Sequence, residues 1–215
     1  MSYYCWKCGE DESHAKTVVE DFHIDVVDVL RWRCECGTTN VRREFHDVKG
    51  LLVLGGNHLV GELNRANIQE VIEKYEFDWI LTLGTRGAAD LAIDFAIMSG
   101  KRALKLHPSK KDASWQCSFD SFPCYEVAHP EFANPRHPVY AMYGRDGDFM
   151  APVKRTVHEL ASVATDIVVF DNDLPHPDIM YDVLRDGNYK FDLAHVDRVM
   201  PVLEPKRERL IEVCY

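Results

Sequence analysis

The sequence predicts an α/β domain, a parallel sheet with helices on both faces, preceded by a small metal-clasped segment. Three observations predict it. Short uncharged runs such as GLLVLG (50–55) and WILTLG (79–84) alternate with amphipathic stretches, as strands buried on both faces do when crossover helices join them. Glycine-rich turns follow those runs. Two close cysteine pairs stand near the N-terminus, each followed directly by glycine.

Composition sets the outer limits. The 215 residues, 46 % of them hydrophobic, can bury a real core and leave room for an appendage. The 25 Lys and Arg against 35 Asp and Glu give a formal charge of −10, which repels a polyphosphate backbone unless a basic patch is segregated. No Lys/Arg run supplies such a patch, so general nucleic-acid binding is disfavoured. The start MSYYCWKCGEDE lacks the pattern of a signal peptide, and no stretch approaches the roughly 18–20 apolar residues that span a membrane. The chain is expected to be soluble and cytoplasmic, with no membrane partner.

Residues 1–47 form the first unit. CWKCGE gives Cys5 and Cys8, and RCECGTTN gives Cys34 and Cys36. Thiolates spaced this closely on tight turns can reach one tetrahedral ion at about 2.3 Å, and the glycines supply the left-handed backbone of each knuckle. Between them, TVVEDFHIDVVDVLRWR alternates apolar and polar residues like strands of a small sheet. The segment resembles the zinc-ribbon family, with Cys-x-Cys in the second knuckle where Cys-x-x-Cys is usual. A structural Zn2+ is therefore expected, contributing on the order of 10 kcal/mol to the folding of so small a unit. Acidic residues outnumber basic ones here, which favours a protein-facing or intramolecular role over nucleic acid.

Residues 48–171 read as the main domain. GLLVLGGN is the first strand; ELNRANIQEVIEKYEFD is a helix with Ile68, Val71, Ile72 and Tyr75 on one stripe. DWILTLG is the second strand, followed by AADLAIDFAIMSG, a helix burying Ala88, Leu91, Ala92 and Phe95 and stopped by Gly100. RALKLHP is the third strand, closed by Pro108, and HPVYAMYG the fourth. DFMAPVKRTVHELASVA is a helix with Pro152 tolerated in its first turn and Val153, Val157, Leu160, Ala161 and Ala164 inward; DIVVFDND is the fifth strand. This alternation makes the domain Rossmann-like. Residues 108–138 read as a long loop, a lid or substrate loop, and 172–215 as an extension packed on the core.

In open α/β sheets ligands bind beyond the carboxyl ends of the strands. Three turns carry suitable residues there: Gly55-Gly56-Asn57-His58, then Gly84-Thr85-Arg86-Gly87 with Asp90 a turn further, then Gly144-Arg145-Asp146-Gly147. Glycines admit a ligand close to backbone, and helix N–H groups favour an anion by about 0.3–2 kcal/mol per charge. Arg86 and Arg145 can add forked bonds of roughly 1.5–3 kcal/mol each. Together these suit phosphate, whereas Asp90 suits a ribose hydroxyl or a base amino group. His58, His107, His129 and His137 read as loop spacing and packing rather than as a second metal site.

The stretch LTLGTRGAADLAIDFAIMSGKRALKLHP, followed by GRDGDFM and ATDIVVFDN, resembles the SLOG superfamily of Rossmann-like nucleotide-binding domains. The likeness is to its YspA-like group and, more distantly, to DprA-type DNA-processing proteins. Thr85-Arg86-Gly87-Ala88-Ala89-Asp90 fits the superfamily's turn, and Arg145 and Met150 match the arginine and methionine ahead of its later helix. Leu83 stands where a serine is common, and the signature of the Lonely Guy phosphoribohydrolases is absent.

The resemblance, over roughly residues 50–171, implies a nucleotide or nucleotide-derived ligand. If the protein is an enzyme, it implies hydrolysis of an N-glycosidic bond. Asp90 and Asp171 are then the candidate catalytic carboxylates, stabilising an oxocarbenium ion and orienting water. The alternative is an interaction module in which the ribbon docks a protein partner and the α/β domain is a scaffold. Analogy with the superfamily also implies a homodimer.

Overall fold

The computed structural model describes residues 4–9, 17–55, 59, 62–85, 87–108, 115–117, 124–143, 150–171 and 178–195. It begins with an antiparallel ribbon of β1 (Thr17–Ile24), β2 (Val27–Arg33) and β3 (Thr39–Phe45). Val27 and Val29, spaced by two, give it one buried face, and Trp32 is buried on the other side of β2.

The main sheet is built from β4 (Gly50–Gly55), β5 (Trp79–Leu83), β6 (Arg102–His107), β7 (Trp115–Cys117), β8 (Cys124–Ala128), β9 (Asp166–Asp171) and β10 (Asp192–His195). Their spatial order is β10-β9-β4-β5-β6-β8-β7, parallel throughout except for the antiparallel edge strand β7. Helices α1 (Glu62–Ile72), α2 (Ala88–Met98), α4 (Met150–Ala161) and α5 (Asp178–Asp186), with a short α3 (Val139–Tyr143), connect the strands. The expected α/β architecture is what the chain adopts.

Alternate residues of each strand feed two cores. Leu51, Val53, Ile80, Ala103 and Phe170 pack under Ile68 and Ile72 of α1 and Leu91, Ala92 and Ala96 of α2. Leu52, Leu54, Leu81, Leu104 and Val127 face the other way, toward Val157 and Leu160 of α4 and Leu184 of α5. On that second face the ribbon joins in. Val26, Val27 and Val29 belong to the same cluster as Trp79 and Leu104, and full burial stabilises a valine by about 1.5–3 kcal/mol. Asp25, in the β1–β2 turn, pairs with Arg102, whose guanidinium lies 4.5 Å from the Trp79 ring centre. The ribbon thus roofs the sheet over β5, β6 and β8, where a doubly wound fold would place a helix.

Two expected elements are corrected. HPVYAMYG is not a strand: Val139–Tyr143 is helical. Pro138 starts the turn without needing a donor, and tertiary bonds hold the aromatic side chains, Tyr140 Oη donating to the Phe132 carbonyl (2.7 Å). The fourth parallel strand is instead Cys124–Ala128, inside the stretch read as a loop, and it pairs with β6. Tyr75 also falls beyond the helix end, its hydroxyl donating to Asp192 (2.8 Å). The stops at Gly100 (φ +68) and the early Pro152 are as expected.

Candidate functional site

Four cysteines that could hold a metal ion come together at the N-terminal end of the ribbon. Cys5 and Cys36 Sγ are 3.7 Å apart, Cys8 and Cys34 Sγ also 3.7 Å, and all four sulfurs lie within 4.8 Å of one another. A tetrahedral ion with sulfur at about 2.3 Å demands sulfur edges of about 3.8 Å, which two of the pairs already match, and the four sulfurs together could hold one ion. Gly9 (φ +70) and Gly37 (φ +78) take the left-handed backbone expected of them, and each N–H returns to a knuckle carbonyl, of Cys5 and Cys34 (both 2.9 Å). Hydrogen bonding from Thr38, side chain and backbone, draws the Cys36 thiol down to about 6, whereas at Cys34 the bond from the Cys36 backbone is outweighed by burial and the neighbouring sulfurs, and the thiol is pushed up to about 12. Asn40, buried beneath, accepts from Trp6 N–H (3.2 Å) and donates to the Thr38 carbonyl (3.2 Å), tying the two knuckles together.

At the carboxyl ends of the main strands lie the glycine turns. Numbered in chain order, the six parallel strands run 4-3-2-1-5-6 across the sheet. That is the 3-2-1-4-5-6 doubly wound pattern with one more strand on its first half and one fewer on its second. The order reverses between β4 and β9, so the switch point of the sheet lies beside Gly55. Gly55 has φ +84, and a Cβ there would overlap the Phe170 carbonyl of β9. Gly84 is closed in similarly, a Cβ meeting the His107 ring.

Thr85 N–H turns back onto the Leu83 carbonyl (2.5 Å), and Gly87 (φ +86) heads α2 with no side-chain cap among the described residues. The first N–H groups of α2 therefore face the turn rather than a capping side chain. Asp90, in that first turn, lies 3.5 Å from Lys105 Nζ, which is also 3.8 Å from Glu126. Gly56, Asn57, His58, Arg86 and Arg145 lie outside the described residues, and so does the side chain of Asp171, which ends β9.

A third constellation carries no signature in the sequence. Between the ribbon and the α3–α4 region is a cavity of about 670 Å³, with Trp32 and Arg43 on one side and Phe132, Tyr143, Arg155 and Glu159 on the other. Beneath it runs a buried charge network. Arg43 donates to both carboxylate oxygens of Glu131 (2.6 and 3.1 Å) and to the Ala128 carbonyl (2.5 Å). His129, fully buried, has Nδ1 3.3 Å from Glu131 and Nε2 2.9 Å from Glu159. Arg155 donates Nε to Glu159 (2.7 Å) and Nη1 to Tyr143 Oη (3.1 Å).

Burial alone would push both carboxyls up, but the cations prevail. The Arg43 guanidinium and His129 hold Glu131 well below the carboxylate range, and His129, Arg43 and Arg155 bring Glu159 down to about 2. Burial lowers His137, whose Nδ1 accepts from Val139 N–H (3.1 Å). Neither this cavity nor a second one of about 650 Å³ on the far side of Glu131 is lined by Gly55, Gly84, Thr85, Gly87 or Asp90.

His129 read as loop spacing in the sequence, and Arg43 and Glu131 are 88 residues apart. No spacing rule links them, and only a buried histidine flanked by acids would have hinted at the network. The chain matches no known protein-family profile and no curated protein. Among solved structures it is similar to DNA processing protein A (DprA) from Streptococcus pneumoniae. The match has 12 % identity and a TM-score of 0.36, covering 84 % of this chain and 71 % of that one. No helix among the described residues is long and apolar enough to cross a membrane.

Proposed function

We propose that the protein binds a nucleotide or nucleotide derivative at the carboxyl ends of its parallel strands, and that its ribbon is held by a structural Zn2+. The observation that carries the first part is the reversal of strand order between β4 and β9, the position at which open α/β sheets receive ligands. In this reading the turn after Gly55 and the uncapped start of α2 receive the phosphate with Arg86 and Arg145, and Asp90 meets the sugar. Four sulfur ligands without histidine suit Zn2+ in a closed structural site. If the ligand is also converted, Asp90 and Asp171 are the candidate carboxylates for N-glycosidic cleavage.

A thermal-shift series with AMP, ADP, ATP and their deoxy forms tests the binding. A rise in melting temperature that disappears in Arg86→Ala supports it, whereas no shift with any of them, on protein with full zinc content, refutes it. Chromatography for released base then separates an enzyme from a binder.

A further inference from the structure

The cavity between the ribbon and the α3–α4 region is not accounted for by a ligand at the strand ends. Its lining carries three guanidiniums, of Arg42, Arg43 and Arg155, against two carboxylates, of Glu131 and Glu159. Those carboxylates are already taken. Both Glu131 oxygens accept from Arg43, Glu159 Oε1 accepts from Arg155 Nε (2.7 Å), and Glu159 Oε2 lies 2.9 Å from His129 Nε2. Arg42 pairs with the exposed Glu44, which lies off the lining. The lining thus has one positive charge in surplus and no carboxylate oxygen to spare, a balance that suits a monoanion.

Two donors remain for it. Arg155, 38 % exposed, spends Nε on Glu159 and one N–H of Nη1 on Tyr143, and its Nη2 has no partner among the described residues. His137, half-buried on the same lining, accepts from Val139 N–H through Nδ1, so its neutral ring carries the proton on Nε2. Burial favours that neutral form, and the nearby Arg155 charge adds to the effect. Trp32, Phe132 and Tyr143 supply flat apolar surface, and Phe132 is itself fixed by stacking on His129 (4.3 Å, 7°). About 670 Å³ falls within the range of small-molecule sites. We propose that this cavity binds a monocarboxylate carried on a flat apolar body, the carboxylate accepting from Arg155 Nη2 and His137 Nε2 while the body lies against Phe132.

The test is calorimetric titration of the metal-loaded protein with benzoate, phenylacetate and indole-3-acetate. At least one should bind saturably, and its neutral amide should bind at least about tenfold more weakly, because the charge-assisted pair with the guanidinium is gone. Arg155→Lys keeps a cation for Glu159 but removes the second arm of the fork, and should weaken the acid by about tenfold. Met142→Trp, a larger side chain at a 71 % exposed position on the lining, should abolish binding while the circular dichroism stays unchanged. Failure of all three acids to bind, amides that bind as well as their acids, or binding that survives Met142→Trp overturns the proposal. Excess ATP should not displace the acid, whether or not ATP itself binds. Displacement by ATP with full retention in Arg155→Lys would put the acid at the strand ends, supporting the nucleotide reading and overturning this one.

Discussion

Replacing Glu131 by alanine should cost far more than any surface charge would suggest. Its side chain is 4 % exposed and that of Arg43 5 %, so water cannot take over the two bonds that the guanidinium gives to the carboxylate. Arg43 would keep its bond to the Ala128 carbonyl but carry a buried charge whose directly bonded counter-ion is gone, with Glu159 acting on it only through space. Breaking a buried pair from one side costs about 3–5 kcal/mol, a large part of the roughly 5–15 kcal/mol by which domains are stable. Urea unfolding at pH 7, followed by tryptophan fluorescence, measures it. The exposed Lys49–Glu76 pair supplies the control, and Glu76→Ala should leave the midpoint unchanged.

The double change Arg43→Met with Glu131→Leu should recover much of the loss, since it removes both charges together. Acid provides a second arm. Glu131 and Glu159 are held below an unfolded carboxyl at about 4.3, so their contribution is complete above that pH and drains as pH falls toward 2. The gap between wild type and Glu131→Ala should therefore shrink below pH 4.3. A cost under about 1 kcal/mol at pH 7, the range of an exposed pair, or a gap that stays constant from pH 7 to 3, would refute the reasoning.

The metal centre predicts about one zinc per chain by elemental analysis, lost in Cys8→Ser, with faster amide exchange across β1–β3. Unaltered exchange after chelation would argue that the ribbon stands without metal. At the switch point, Gly55→Ala should lower the melting temperature by about 2–4 °C or more, because the site combines positive φ with the nearby Phe170 carbonyl. An unchanged melting temperature would mean that the β4–β9 seam yields at no cost.

Local patterns in the chain were enough for the α/β class, the cysteine cage and most strands and helices. A buried parallel strand such as Leu51–Leu54 is apolar on both faces, a knuckle is a few residues of thiol and glycine, and a helix stripe repeats within two turns. Each reports on neighbours in sequence. Cys124–Ala128 escaped because a five-residue strand with two half-exposed positions looks like loop until β6 lies beside it. Val139–Tyr143 misled because β-branched and aromatic residues favour strands unless contacts from elsewhere, such as Arg155 on Tyr143, hold them in a helix.

The glycines at 55 and 84 stand in the predicted turns, yet what makes glycine necessary at each is a group from another strand, the Phe170 carbonyl and the His107 ring. The ribbon's place as a roof on the sheet, the Arg43–Glu131–His129–Glu159–Arg155 network and the cavity above it belong wholly to tertiary structure. Electrostatic and packing energies depend on separation in space, and residues 88 positions apart acquire a separation of 2.6 Å only when the chain is folded.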